Sequence, residues 1–245
     1  MCTAGAMRTQ IAGLQVEVFQ ATQTAPKAAV ILCHGFGAPG TDLVGLGPEL
    51  VHLAPALKDV RFYFPAAPLS LEMGGWGDSR AWWMIDIGAV QRLAHDLEAQ
   101  REFRKVEPEG MAAARKALLA LVQDVAAHTG LPMKKIVLGG FSQGSMITTD
   151  VALRLEEAPG ALVALSGTLL IEDTWRAKAK ARAGLPVFQS HGRQDPILPY
   201  HAAEWLKEVF TDAGMQHEFV PFDGGHTIDR EALVKLGAFL EKVTG

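Results

Sequence analysis

Lys135-Ile136-Val137-Leu138-Gly139-Gly140-Phe141-Ser142-Gln143-Gly144 is the stretch that decides the fold. Its first seven residues read as a short buried strand. From Gln143 to about Leu155 the apolar residues Met146, Ile147, Val151 and Leu155 fall at helical spacing. Ser142 therefore stands at a strand-to-helix turn, with Gly140 two residues before it and Gly144 two residues after. Side chains at those two positions would collide with neighbouring backbone in so sharp a turn. The bare pattern G-x-S-x-G is weak, because small residues cluster in loops. The strand before it and the helix after it make it a nucleophile elbow, which lifts a serine hydroxyl clear of a sheet.

Outward from this turn the chain alternates strands and helices without an internal repeat. Strands are expected near 14–20, 28–33, 60–64, 135–140, 161–165, 185–190 and 216–222, and helices near 111–129, 143–155, 201–213 and 229–243. Such alternation argues for an α/β fold with a mostly parallel sheet covered on both faces. At 245 residues with 49% hydrophobic residues, the chain suits a single domain over 1–245, and no Pro/Ser-rich linker divides it.

A serine hydroxyl is a poor nucleophile at neutral pH and needs a base, which needs an orienting acid. After an elbow serine the acid follows in the chain, then the histidine. The expected strand 185–190 leads into His191-Gly192-Arg193-Gln194-Asp195, which puts Asp195 beyond a strand's C-terminal end, where open α/β sheets carry their sites. The expected strand 216–222 ends in Asp223-Gly224-Gly225-His226, so His226 lands in a loop before the last helix. Asp223, three residues before His226, is a rival for the acid, although its glycine neighbours suit a turn. His191 reads as a hydrogen-bonded structural residue. His52, His95, His128, His201 and His217 read as surface or satisfied core, and no Cys/His cluster suggests a metal.

Acyl transfer also needs two backbone N–H groups aimed at the oxygen that becomes negative. Gln143, at the positive end of its helix, is expected to give one. The apolar run 28–33 opens into His34-Gly35-Phe36-Gly37, the Gly-rich strand exit suited to give the other, with Phe36 as donor. The alternative is an ordinary strand-ending turn.

These residues and their order resemble the bacterial carboxylesterase/phospholipase family, which includes acyl-protein thioesterases and lysophospholipases. The resemblance rests on Leu32 to Gly37, the Gly-Phe-Ser-Gln-Gly elbow, His191-Gly192 followed by Asp195-Pro196-Ile197-Leu198-Pro199, Gly225-His226, and Phe64-Pro65-Ala66-Ala67-Pro68. It runs from about Val30 to the end. It implies an α/β-hydrolase fold, a serine esterase needing no cofactor or metal, a triad of Ser142, Asp195 and His226, and oxyanion amides from Phe36 and Gln143. The chain departs from the thioesterases in its aromatic segment Arg80-Ala81-Trp82-Trp83, and in 88–108, which is longer and more charged.

Trp76, Trp82 and Trp83 follow a strand exit, and are expected either to wall an acyl pocket or to pack their own loop. Large side chains there suit short or medium acyl chains. Val90, Leu93, Leu97 and Phe103 recur at helical spacing, so 88–108 is expected as a lid or cap over the cleft or as a fixed surface helix.

Net charge is −4 with dispersed Lys and Arg, which favours neither nucleic acid nor an anionic membrane. The cluster Arg176, Lys178, Lys180 and Arg182 reads as a solvated helix face. Cys2 and Cys33 are the chain's two cysteines, one near the terminus and one in a buried strand, so a disulfide is not expected. No secretory leader or transmembrane run stands out, and a cytoplasmic location is expected. The expected partner is a small ester or thioester. Acyl transfer to another acceptor, perhydrolysis, or a non-catalytic binding role are the remaining alternatives.

Overall fold

The structure, a computed structural model, describes residues 6–75, 77–93 and 96–245. Trp76, His95 and Cys2 therefore lie outside the described residues. In chain order the strands are β1 (Met7–Ile11), β2 (Leu14–Phe19), β3 (Ala28–Cys33), β4 (Val60–Pro65), β5 (Leu69–Ser70), β6 (Arg80–Ala81), β7 (Ile136–Phe141), β8 (Ala161–Leu165), β9 (Pro186–Gly192) and β10 (Gln216–Phe222). The helices are α1 (Leu46–Leu53), α2 (Ile87–Leu93), α3 (Leu97–Phe103), α4 (Met111–Thr129), α5 (Gln143–Arg154), α6 (Glu172–Ala179), α7 (Tyr200–Asp212) and α8 (Arg230–Thr244).

Eight strands form one sheet in the order β1-β2-β4-β3-β7-β8-β9-β10. β1 and β4 each pair antiparallel with β2, and every other pairing is parallel. A central parallel strand is covered on both faces and so reads as an unbroken apolar run. In β3, Ala29, Ile31 and Cys33 belong to the core that includes Leu118 and Leu121 of α4 and Ile147 of α5. Ala28, Val30 and Leu32 face the opposite core, with Leu50 of α1 and Leu236 and Leu240 of α8. Parallel pairing brings the C-terminal ends of β3, β7, β8, β9 and β10 to one edge of the sheet, the edge at which such sheets carry sites.

The first strand was not expected from sequence. Its Met7, Arg8 and Gln10 are exposed, so it lacks the apolar run that marks a strand. It pairs with β2 through a hairpin whose two loop residues, Ala12 and Gly13, both have positive φ, 50° and 79°. Two such residues match the twist of the flanking strands.

Helix α5 is buried all round from Gln143 to Leu153, so its polar side chains need partners inside the protein. Thr148 returns its hydroxyl to the Gly144 carbonyl at 2.9 Å. Asp150, fully buried, accepts from Arg115, from Arg154 Nε at 2.8 Å and from Trp175 Nε1 at 2.9 Å. Removing one side of a buried pair of this kind costs about 3–5 kcal/mol. The expected solvated face on 176–182 holds only in part. Arg182 is buried and donates to the Ala152 carbonyl at 3.0 Å and to the Leu155 carbonyl, closing the C-terminal end of α5. Arg176 pairs with Glu172 and Asp212. Helix α6 exposes Asp173, half-buries Glu172, Arg176 and Lys178, and lays Trp175 inward onto Asp150, which tertiary contact alone decides.

Burial lowers the pKa of several histidines. Burial pushes His217 from 6.5 down to about 4, aided by the nearby charge of Lys207, and its Nε2 lies 2.9 Å from Gln189 Oε1. Burial likewise lowers His34 and His191, against the hydrogen bonds each makes to a carbonyl. Between about 6.5 and about 4 the unfolded chain binds protons that native His217 does not. Stability therefore rises with pH across that window and is lost as pH falls through it. Thermal unfolding followed from pH 7 to pH 4 is expected to show a falling Tm, and His217→Gln should flatten part of that slope. An unchanged slope in the variant would remove His217 from the pH dependence.

Candidate active site

β7 ends at Phe141, and Ser142 turns the chain into α5 with φ 53° and ψ −120°. A serine rarely adopts positive φ, and such strain persists only where the surroundings enforce it. Two close approaches enforce it here. A Cβ on Gly144 would stand 2.0 Å from the Cys33 carbonyl oxygen, and one on Gly140 would stand 2.4 Å from the Gly144 carbonyl carbon. The turn is thus folded onto the end of β3. Gln143 is the first residue of α5, so its N–H has no acceptor within its own helix.

Asp195 lies beyond β9 with its side chain fully buried. Its Oδ1 accepts from the backbone N–H of Ile197 at 2.8 Å and of Leu198 at 2.9 Å. Its Oδ2 lies 2.6 Å from His226 Nδ1. Burial by itself would raise the Asp195 carboxyl, but the hydrogen bond and charge of His226 and the two backbone donors hold it below the usual value. A carboxylate acceptor fixes the proton on His226 Nδ1 and leaves Nε2 as the basic nitrogen. Asp223, the rival acid, is exposed and pairs with Arg193 at 3.6 Å. His191 is fully buried, with Nε2 2.7 Å from the Leu198 carbonyl and 3.3 Å from Asp195 Oδ2.

The loop carrying His226 is tied down from two sides. Gln194 N–H donates to the Gly224 carbonyl at 3.0 Å, joining the loops after β9 and β10. Ser166, just past β8 with φ 47°, donates its hydroxyl to the Thr227 carbonyl at 3.0 Å. The His226 ring lies 4.8 Å from that of Phe141, centroid to centroid. Sequence reasoning passed over Ser166. The available signal was a lone polar residue directly after the fully apolar β8.

Ser142, His226, Phe36 and Gln143 line one cavity of about 540 Å³. Trp83, Ile85, Val90, Phe103 and Met146 contribute apolar wall, and the carboxylate residues Asp42, Asp86 and Glu109 also line it. Met146 was read only as helix core, and it both packs in that core and reaches the cavity. Trp83 lines the cavity. Trp82 does not: it is buried outside the cavity lining, with its indole N–H donating to the His34 carbonyl at 3.0 Å. The indole finds that partner because a buried N–H needs one, a long-range requirement that neighbouring residues do not reveal.

Val90 of α2 and Phe103 of α3 bring the 88–108 segment to the cavity. Helix α3 is capped by Asp96, whose side chain accepts from the N–H of Glu98 and Ala99. Gln100 is buried and hydrogen-bonds both the Leu93 carbonyl and His201. Arg104 pairs with Glu172 at 2.8 Å and lies 4.3 Å from the centre of the Trp205 ring. Among the described residues, no three or more His, Cys, Asp or Glu side chains gather as a metal-binding set, and no helix is long and apolar enough to cross a membrane.

Residues 14–244 match the family described as Phospholipase/Carboxylesterase. Acyl-protein thioesterase 1 of Eremothecium gossypii is 30% identical over 220 residues, covering 88% of this chain and 87% of that protein. The crystal structure of esterase PE8 superposes with a TM-score of 0.76 at 30% identity, covering 94% of this chain and 99% of that one. A carboxylesterase from Mesorhizobium loti shares the fold, with a TM-score of 0.73 at 16% identity over 97% of this chain and 98% of that one. An elbow serine, a carboxylate-bound histidine and this sheet order, together with a family match over nearly the whole chain, place the protein among the α/β-hydrolases as a member of the Phospholipase/Carboxylesterase family.

Proposed function

We propose that the protein hydrolyses carboxylic esters of short or medium acyl chains through an acyl-serine intermediate. The observation that carries this is the strained Ser142 opening, beside an Asp195-bound His226, on a mainly apolar cavity of about 540 Å³. Ser142 Oγ attacks the acyl carbon while His226 Nε2 takes its proton. The carbonyl oxygen becomes negative and is held by the N–H groups of Phe36 and Gln143. The intermediate collapses, His226 returns the proton to the leaving alcohol, and the acyl group stays on Ser142. Water, deprotonated by His226, then attacks the acyl-serine and releases the acid. Asp195 keeps the productive His226 tautomer and stabilises the imidazolium.

The same groups serve a thioester, whose leaving thiolate needs less help from a proton. Thioester hydrolysis is the second reading, supported by the likeness to Acyl-protein thioesterase 1. Turnover of matched p-nitrophenyl esters and acyl thioesters separates the two. We read 88–108 as a cap on the single domain 1–245. Its α3 end is anchored through Gln100 and Arg104, so it serves as a standing wall more than a swinging lid.

Ser142→Ala is expected to lower kcat by on the order of 10³–10⁶-fold with the fold intact. A folded variant keeping a tenth of the wild-type turnover, or unlabelled wild type after fluorophosphonate treatment, would sink the acyl-serine route.

Asp195→Asn should lose most activity by releasing the His226 tautomer, on the order of 10⁴-fold in kcat by precedent. Asp223→Asn should stay close to wild type. Reversal of that ranking in folded variants would move the acid role to Asp223.

Trp83→Ala is expected to shift the preference toward longer chains, measured as kcat/KM on p-nitrophenyl esters from acetate to palmitate. Each newly accommodated methylene contributes at most about 0.8 kcal/mol, roughly fourfold in kcat/KM. An unchanged profile in the folded variant would make Trp83 irrelevant to acyl length.

A further inference from the structure

The loop after β3 holds a chain of buried hydrogen bonds that ends on one particular peptide plane. His34 is 1% exposed. Its Nε2 lies 3.0 Å from the backbone N of Ala67, whose N–H can only donate, so Nε2 is the accepting nitrogen. Its Nδ1 lies 2.8 Å from the Gly35 carbonyl oxygen, which can only accept, so Nδ1 carries the proton. Two independent partners therefore select the same tautomer.

The Gly35 carbonyl shares its peptide plane with the N–H of Phe36. That bond is trans, since the chain has no cis peptide among the described residues, and in a trans peptide the carbonyl and the N–H point in opposite directions. A hydrogen bond that draws the Gly35 oxygen toward the His34 ring thereby turns the Phe36 N–H away from it. Gly35 packs against the elbow: a Cβ there would lie 3.3 Å from Ser142 Cβ. Phe36 and Ser142 both line the cavity.

His34 is itself held. Trp82 Nε1 donates to the His34 carbonyl at 3.0 Å. The backbone N–H of Trp82 donates to Gln143 Oε1 at 2.9 Å, and Gln143 Nε2 donates to the Trp83 carbonyl at 2.9 Å. The fully buried side chain of Gln143 thus clasps the tryptophan segment on both its groups, while the backbone of the same residue begins α5. The two backbone amides assigned to the oxyanion are wired to one another through Gln143, Trp82 and His34.

We propose that His34 is a positioning residue which, through Nδ1–H, fixes the Gly35–Phe36 peptide with its N–H toward the oxyanion, and that Trp82 and the Gln143 side chain lock His34 in place. This rests on the ester-hydrolysis reading above. Without the His34 donor the Gly35 carbonyl keeps only the long 3.4 Å hydrogen bond from the Ala38 N–H, a weaker hold against rotation, and a rotated peptide offers a carbonyl where a donor is needed. The loss then falls on the transition state and leaves substrate binding nearly untouched.

The test uses two amide side chains that imitate different nitrogens of the ring. Asparagine carries its NH₂ near the position of Nδ1, and glutamine reaches the position of Nε2. His34→Asn is expected to keep kcat within about threefold of wild type, with KM likewise unchanged. His34→Gln and His34→Ala are expected to lose on the order of 10²-fold in kcat, with KM within about threefold. Affinity for a trifluoromethyl ketone, which forms a tetrahedral adduct, should fall in step with kcat/KM. Tm and affinity for a planar amide carrying the same acyl chain should not follow that pattern, which separates positioning from a merely structural role. An asparagine variant as impaired as the alanine variant, or a glutamine variant with wild-type kcat, overturns the proposal. If the glutamine and alanine variants do not fold, Trp82→Phe carries the test. It removes the indole donor together with part of a buried ring, and must lower kcat without raising KM; an unchanged kcat overturns the proposal. Wild-type turnover and its loss in Ser142→Ala are measured first. Failure there brings down the ester reading, whereas failure confined to the His34 series brings down this inference alone.

Discussion

The backbone of the serine turn lies directly on the backbone at the end of β3, and the rest of the site depends on that contact. A Cβ on Gly144 would reach within 2.0 Å of the Cys33 oxygen, so only hydrogen fits. The contact forces the sharp turn that puts Ser142 at φ 53°. It also sets the start of α5 beside the loop that follows β3, bringing Gln143 and Phe36 to one cavity. Parallel pairing of β3 with β7, in register from Ala29 with Ile136 to Cys33 with Gly140, makes the approach possible. The strain is borne by a helix that cannot easily shift, since α5 is buried on every side and its Asp150 is held by three donors.

Features set by local chemistry were legible in the sequence. β3 and β7 are continuous apolar runs because they are covered on both faces, and Gly140 and Gly144 flank the serine because nothing larger fits. The meeting of Asp195 with His226 across 31 positions was legible too, because parallel topology sends both strand ends to the same edge. What the sequence hid depends on partners far along the chain. Trp82 reads as an aromatic wall until its indole is seen to donate to the His34 carbonyl, 48 positions away. Arg182 reads as part of a charged face until it is found closing α5. β1 is polar and exposed, and pairing with β2 makes it a strand where its own side chains do not. Polar groups that satisfy one another inside the protein leave no periodicity behind.

The walls of the cavity are unequal in rigidity. Trp83 is fixed from behind by Gln143 and touched by Gly110, where a Cβ would lie 3.3 Å from Trp83 Cβ. The 97–104 stretch is pinned to α6 and α7 by Arg104, Glu172, Trp205 and His201. Met84 and Ile197 also line the cavity, yet as residues they are 60% and 42% exposed to solvent. The fixed side of the cavity is thus aromatic, and its outer side is apolar and solvent-exposed.

For the proposed ester hydrolysis, the carboxylate residues along the cavity would give the two ends of the cycle different electrostatics. A neutral ester enters without regard to Asp42 or Glu109. The acid that leaves is an anion at neutral pH, and near those two side chains it is less stable than in water, by an amount that salt screens. For the proposed ester hydrolysis, a lining indifferent to the reactant would disfavour the product. Under such an arrangement a free fatty acid would be a poor competitor for the site, and turnover would be slow to stall as acid accumulates.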